Sequence, residues 1–526
     1  MRFFNTAGPV NCEKHYCLPP LSRFDLSEIL NLITQEKYFV LHAPRQSGKT
    51  SCLLACADYL NKEGRYYALY TNVEAGQAAR EDVPLAMRAI LYGILQRMDI
   101  NLPNRISSAE LEQIIRDNGP FGAMTIFFSR LSNRLDKPLI LMMDEIDTLV
   151  GDTLISVLRQ IRSGYDTRPL HFPSSIILCG VRDVRDYRIH SERDKTIITG
   201  GSAFNIKAES LRLGNFTEEE TRTLLLEHTR ETGQEFEEEA LASVWNLTQG
   251  QPWLVNALAY EVCFKIEEGK NRSNLITKSL VIEAKEHLIQ RRETHLDQLV
   301  DKLQEERVRR VVEPILSGES GPETIPEDDI WYTEDLGIIT TKGHLRISNP
   351  MYQEIIPRIL TYSTQLTITK KPAWYIDSEG RLEIEKLLLE FQQFFREHSE
   401  SWLERFSYRE AGPQLLLQAF LQRIINGGGK ITREYGLGMG RTDLFILWHL
   451  PDGKLQRFVI ECKIVYGSRE ATISKGFEQV TRYADRCGAE EVYLLIFDRD
   501  KKKNWEEKIF TDSANHEGRQ VTVFGM

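Results

Sequence analysis

Apolar residues along the chain fall into two patterns. The stretches Tyr38–His42 (YFVLH), Pro138–Asp144 (PLILMMD) and Ser174–Val181 (SSIILCGV) are apolar at nearly every position. Such runs predict strands buried on both faces, as in a parallel sheet. The segment SCLLACADYLNKEG after the first run is helical in pattern, and helical stretches separate the later runs. That alternation predicts an α/β fold with a doubly wound parallel sheet, whose ligand sits at the carboxyl ends of the strands. After Phe216, TEEETRTLLLEHTRETG, EEEALASVWNLT and PWLVNALAYEVCFKI supply three more helical patterns, a small helical lid. The first opens with Thr217 and Glu220 in capping-box spacing, and Gly250 and Pro252 break the second helix and start the third.

The second half changes character. From His295 the chain gives a long charged helix, the turn SGESGPETIPEDD, a short helix, two β-branched runs around Lys342 and Gly343, and a returning helix. This order predicts a winged helix. The acidic IPEDDIWYTED stands where a basic recognition helix would be needed, which favours protein packing over DNA contact. TITKKPAWYIDSEGR has the content of a connection, and beyond Leu382 a new core begins. There two apolar runs flank Pro451-Asp452-Gly453, a hairpin turn. Pairing Leu450 with Lys454 and counting outward sets Asp443 opposite Glu461, with Lys463 on the same face. The expected organisation is an arm (1–30), a sheet domain (31–212), a helical lid (213–290), a winged helix (291–365), a linker (366–381) and a C-terminal α/β domain (382–526).

Composition narrows the classes. A chain of 526 residues is too long for one core, and its apolar fraction of 41% and charged fraction of 27% are those of globular proteins. No apolar run is long enough for a membrane span, and the start MRFFNTAGPVNCEK lacks the pattern of a secretory signal, so the cytoplasm is the expected location. The 8 cysteines form no CxxC pair, and reduced structural thiols are expected. Cys12, His15 and Cys17 lack a fourth partner for a metal. A net charge of −10 argues against non-specific coating of DNA but leaves room for a local basic site.

The strand–loop–helix segment YFVLHAPRQSGKT carries the first chemistry. Its loop, Pro44, Arg45, Gln46, Ser47 and Gly48, together with the N-terminus of the following helix at Ser51, offers backbone N–H groups to phosphates. Lys49 reaches the terminal phosphates and Thr50 meets Mg²⁺, while Ala43 replaces the first glycine of the pattern. Asp144 and Glu145 end the second strand; Asp144 is expected in the Mg²⁺ shell and Glu145 beside the attacking water. Arg182 or Asp183, after the third strand, is placed to sense the γ-phosphate. This half resembles AAA-like P-loop ATPases of the archaeal-ATPase and STAND-like kind, which implies ATP and Mg²⁺ as ligands.

In the last domain, Asp443 and Glu461 can hold a divalent cation against a scissile phosphate, and Lys463 can position or deprotonate water. The spacing D-x(17)-E-x-K resembles PD-(D/E)xK nucleases, with a restriction-endonuclease-like α/β fold. That resemblance implies that the carbonyl of Cys462 faces the metal and that Gln479 and Tyr483, four apart on a helix, point to the site. It also implies a further acid, for which Glu410, Gln418 and Glu434 are candidates. The whole chain resembles a bacterial family of AAA-like ATPases fused to such domains, which implies DNA processing, defence or mobile-element biology. The expected function is an ATP-gated DNA endonuclease whose partner is nucleic acid, DNA foremost, with a second copy or a protein trigger as a further partner. The alternative is a nucleotide-dependent assembly switch in which a degenerate nuclease fold serves only for binding.

Overall fold

Strands β3 (Tyr38–His42), β4 (Tyr67–Asn72), β5 (Leu139–Asp144), β6 (Ser175–Gly180) and β9 (Lys207–Arg212) form one parallel sheet in the order β4-β5-β6-β3-β9. The inner strands read as unbroken apolar runs because both faces are covered. Val40, Leu141, Met143 and Leu178 pack on one side with helices α3 (Val83–Asn101), α5 (Ala123–Ser132) and α6 (Gly151–Ser163). Phe39, Leu41, Met142 and Cys179 pack on the other with α1 (Leu26–Thr34) and α2 (Lys49–Glu63). A helix α4 (Ser108–Asn118) lies between α3 and α5 in the chain, and β7 (Arg188–Ser191) and β8 (Thr196–Thr199) make a separate antiparallel pair.

The structure, a computed structural model, describes residues 1–102, 106–183, 188–191, 196–199, 205–291, 299, 301–317, 325–356, 375–403, 413, 416–417, 420–421, 430–432, 444–450, 452, 454–465, 467–500 and 502–526. They divide into two units, 1–292 with 334–337, and 293–333 with 338–526. Among the described residues no helix is long and apolar enough to cross a membrane.

In the first unit the sheet is followed by α7 (Glu218–Thr232), α8 (Glu238–Thr248), α9 (Pro252–Phe264) and α10 (Lys278–Arg291). Thr217 and Glu220 form a reciprocal capping box at the start of α7. Just past α7, the buried Gln234 donates through Nε2 to the carbonyls of Gly269, Asn271 and Asn274 at 3.0, 3.1 and 3.0 Å. Its Oε1 accepts from Arg272 at 2.9 Å and lies 2.8 Å from Nε2 of His228. The buried His228 in turn lies 3.3 Å from the hydroxyl of Tyr16, and burial lowers its pKa. Tyr16 belongs to the arm, where β1 (Phe3–Phe4) pairs in parallel with β2 (His15–Tyr16) and packs on the helices after the sheet.

One expectation fails in this arm. Cys12 and Cys17 are joined in a disulfide, whereas reduced thiols were expected throughout. The cause is a turn, closed by bonds from the N–H groups of Lys14 and His15 to the carbonyl of Asn11, that brings the two Cα atoms to 5.5 Å. Cys52, Cys56, Cys179, Cys263 and Cys462 are free, buried thiols.

The second unit begins with α11 (Glu306–Ser317), α12 (Glu327–Asp335, whose last two residues cluster with the first unit), the short pair β10 (Ile339–Thr340) and β11 (Arg346–Ile347), and a helix over 350–356. Helix α13 (Ile384–Leu403) leads to a six-stranded sheet of β12 (Lys430–Thr432), β13 (Leu444–His449), β14 (Leu455–Ile464), β15 (Glu491–Phe497), β16 (Phe510–His516) and β17 (Arg519–Gly525), ordered β12-β13-β14-β15-β17-β16. The first three strands form an antiparallel meander, and α14 (Arg469–Cys487) connects β14 to the parallel β15. Helix α14 covers one face, with Val480, Tyr483 and Ala484 packed on Val459, Leu494 and Ile496. Gln392 of α13 donates to the carbonyls of Phe510 and Gly525 at 2.9 and 2.8 Å.

Gly250 shows how tightly the first unit's turns are packed. Its φ is +69°, and a Cβ there would lie 2.0 Å from the carbonyl oxygen of Phe216. Gly233 also has a positive φ, of +75°, but open space around it. Gly250→Ala is expected to destabilise the protein by about 2 kcal/mol or more, and Gly233→Ala by only about 1 kcal/mol, because the second change meets backbone strain without collision. Chemical unfolding of both variants checks this; equal losses would contradict it.

Candidate functional site

The loop after β3 is built for anions. Its N-cap residue, Gly48, has φ +95° and places no side-chain acceptor on the first turn of α2, so that helix end keeps backbone donors facing outward. Gln46 also takes a positive φ, of 57°, whereas Ala43 does not, so the missing glycine costs no strain. The hydroxyl of Ser47 donates to the carbonyl of Pro44 at 2.7 Å and holds the loop closed. Arg45 and Gln46 are exposed. The buried Lys49 folds back, with Nζ donating to the carbonyls of Ala43 and Pro44 at 2.9 and 3.0 Å.

The parallel pairing of β3, β6 and β5 brings a carboxylate to this loop. The fully buried Asp144 accepts from the hydroxyl of Thr50 at 2.6 Å and from that of Tyr70 at 3.0 Å, both on Oδ2. Its Oδ1 accepts from the N–H of Glu145 at 3.0 Å. Glu145 itself is left-handed, with φ 59°. Burial first, then the charge of Asp147, hold its carboxyl above the ordinary range, while Lys49 and Arg45 pull the other way. Arg182 lies two residues past β6 with Nε 3.9 Å from Asp335, whose other oxygen is 3.8 Å from His42. Asp183 is buried.

Beside the loop lies a cavity of about 140 Å³, walled by the arm (Tyr16, Leu18), Arg23, Cys52 of α2, and Phe216 and Trp253 of the helical region. Engineered cavities of about 150 Å³ hold a single aromatic ring. The guanidinium of Arg23 lies 4.3 Å over the ring of Phe216 and donates to the carbonyl of Gly214 at 2.7 Å. Trp253 Nε1 donates to the carbonyl of Thr6 at 2.9 Å, and the hydroxyl of Ser51 accepts from the N–H of Val10 at 2.9 Å. The hydroxyl of Ser51 thus serves the arm. Sequence reading missed Arg23, Phe216 and Trp253; the only local signal was a tryptophan after a Gly-Gln-Pro turn.

In the second unit, Glu461 is buried and Lys463 donates to its Oε1 at 2.7 Å. They pair in register with Leu494 and Ile496, so both side chains lie on the face that α14 covers, the helix that carries the half-buried Gln479 and the buried Tyr483. The side chain of Cys462 is buried on the opposite face. The hairpin register runs from His449↔Leu455 to Leu444↔Ile460. Asp443, Glu410, Gln418 and Glu434 lie outside the described residues. Among the described residues no group of three or more His, Cys, Asp or Glu side chains could hold a metal.

A central parallel sheet with a glycine-capped loop after its first strand, and a buried acid beside that loop, defines a P-loop nucleotide-binding domain. Residues 25–356 match the AAA-like domain family, and the chain belongs to that family. Among solved structures it is similar to a Walker-type ATPase of Pyrococcus abyssi (14% identity, 67% of this chain and 99% of that one, TM-score 0.43). It is also similar to Cdc6p from Pyrobaculum aerophilum (14%, 65% and 93%, 0.36) and to the RuvB Holliday junction branch migration motor of Thermotoga maritima (12%, 63% and 95%, 0.32). No curated protein matches the chain.

The environment of Glu145 gives a pH test. Its pKa is raised in the folded protein, so its ionisation removes stability as pH rises through the folded value. Glu145→Gln is expected to raise the unfolding midpoint of the nucleotide-free protein at about pH 8, with the gain shrinking as pH falls toward the ordinary carboxylate range. Thermal melts across that range check it; a gain that stays constant with pH would contradict the assignment.

Proposed function

We propose that the chain binds and hydrolyses ATP at the first-unit site, and that its second unit is a metal-dependent nuclease acting on DNA under control of the nucleotide. The observation that carries the first part is the 2.6 Å bond between Thr50 and Asp144, which puts a hydroxyl and a buried carboxylate together at the mouth of the phosphate loop. Oxygen donors of this kind suit magnesium, and the chemistry it supplies when bound is neutralisation of phosphate charge. Lys49 leaves the carbonyls of Ala43 and Pro44 to meet the terminal phosphates, and the N–H groups of Gly48 to Ser51 cradle them. Glu145 orients the attacking water and accepts its proton, a role for which a raised pKa is suited. The base enters the cavity between the arm and Trp253, where Arg23 and Phe216 offer a flat, cationic wall.

The nuclease reading is supported by the meander β12-β13-β14 followed by a helix and a parallel strand, with an acid and a lysine on one face of β14. Glu461 with Asp443 would hold a divalent cation, and Lys463 would turn from Glu461 to the water or the scissile phosphate. The ATP site acts on cleavage by favouring one arrangement of the chain over another.

Lys49→Ala is expected to abolish ATP binding, and Glu145→Gln to keep binding while slowing hydrolysis by about a hundredfold or more, the scale of a lost general base. Nucleotide titration and phosphate release measure the two separately; unchanged turnover in Glu145→Gln would contradict its role.

Asp443→Ala and Lys463→Ala are expected to abolish Mg²⁺- or Mn²⁺-dependent cleavage of plasmid DNA while leaving ATP hydrolysis intact, and Lys463→Ala to keep DNA affinity. A cleavage time course with chelator controls decides the matter. Wild-type cutting by Asp443→Ala would place any nuclease activity elsewhere.

A further inference from the structure

The arm disulfide sits at the wall of the proposed base cavity. Cys17 lines that cavity together with its neighbours Tyr16 and Leu18, and Cys12 is exposed. The arm is tied to the nucleotide-binding unit just before the linked turn, by Val10 N–H on the hydroxyl of Ser51, and within it, by Tyr16 against His228. Of the six free cysteines, Cys52, Cys56, Cys179, Cys263 and Cys462 are buried, and Cys487, in the second unit, is half-buried against the carbonyl of Tyr483; burial pushes the thiols of Cys52 and Cys56 up to about 11 and about 12. In the first unit, Cys12 is therefore the sulfur that a dissolved reagent reaches, and it is bonded to Cys17.

We propose that Cys12 and Cys17 are a thiol–disulfide exchange site whose oxidised state tightens nucleotide binding, an inference that rests on the ATP-binding reading of the cavity. The oxidant is a low-molecular-weight disulfide of the glutathione class. In the dithiol form, the Cys12 thiolate attacks one sulfur of that disulfide; the S–S bond breaks, and the leaving thiolate takes the electron pair and a proton. The Cys17 thiolate then attacks Sγ of the mixed disulfide at Cys12 and expels the second small thiol. The chain loses two protons and two electrons, and the oxidant takes them up to become two thiols. The closed loop holds Tyr16 and Leu18 in place as a wall before the nucleotide arrives, whereas the open dithiol leaves that ordering to be done on binding.

The test uses the full chain equilibrated in oxidised or reduced glutathione, with intact mass and thiol alkylation to map the bond, and a fluorescent ADP analogue to read affinity. The oxidised wild type is expected to carry the Cys12–Cys17 bond and to bind about five- to tenfold more tightly than the reduced protein, the scale of removing an ordering cost from one segment. The double variant Cys12→Ser/Cys17→Ser is expected to match the reduced wild type in both buffers. Equal affinity of oxidised and reduced wild type would overturn the proposal, as would failure of the bond to form in oxidised glutathione. Wild type that binds no analogue in either buffer would instead remove the ATP-binding reading, and the redox effect with it. Lys49→Ala, which should bind in neither, shows that the measured affinity belongs to the phosphate loop.

Discussion

A carboxylate with no exposure to water, Asp144, is the constraint on which the first unit turns. An unpaired buried charge costs several kcal/mol, so each of its oxygens must find donors. Three elements meet that need: Thr50 from the first turn of α2, Tyr70 from β4, and the N–H of Glu145 just beyond β5. The register Asn72↔Asp144 sets β4 beside the acid, and the run β5-β6-β3 carries the phosphate loop toward it. Shifting β4 by one residue would turn Tyr70 to the other face and strip one donor from the acid. The second unit solves a similar problem differently, since buried Glu461 is met by an ammonium from its own strand rather than by hydroxyls.

How far the fold can be read from sequence depends on where each strand lies. β3, β5 and β6 are interior strands, and their unbroken apolar runs announce burial on both faces. β4 and β9 are the two edges of the sheet. β9 reads KAESLR, polar and largely exposed, and no periodicity marks it, whereas β4 (YALYTN) is covered on both faces despite its edge position. In the second unit the hairpin register followed from the turn alone, because each step outward keeps the two residue numbers at a constant sum, as Leu444↔Ile460 and His449↔Leu455 do.

The site divides along the same line. Lys49, Thr50, Asp144 and Glu145 are visible because each pair is contiguous and its position at a strand end gives it meaning. The cavity is not, since its walls come from the arm, α2 and residues near 216 and 253, and only the folded chain brings them together. The disulfide was hidden for a related reason. A spacing of 5 residues is compatible with two separate thiols, and the turn at Asn11 that joins them, closed by backbone bonds and by the Asn11 side chain accepting from the N–H of Glu13 at 2.9 Å, is a common polar turn that does not by itself announce a bond.

The amide of Gln234 has a consequence for how this architecture can diverge. One side chain satisfies the carbonyls of Gly269, Asn271 and Asn274, and thereby measures out the loop between α9 and α10 like a template of fixed reach. An insertion in that loop would carry at least one carbonyl beyond the reach of the buried amide and loosen its hold on the loop. Length and identity are therefore linked there: a chain that lengthens the loop must replace Gln234 as well, and drift at either place alone is penalised.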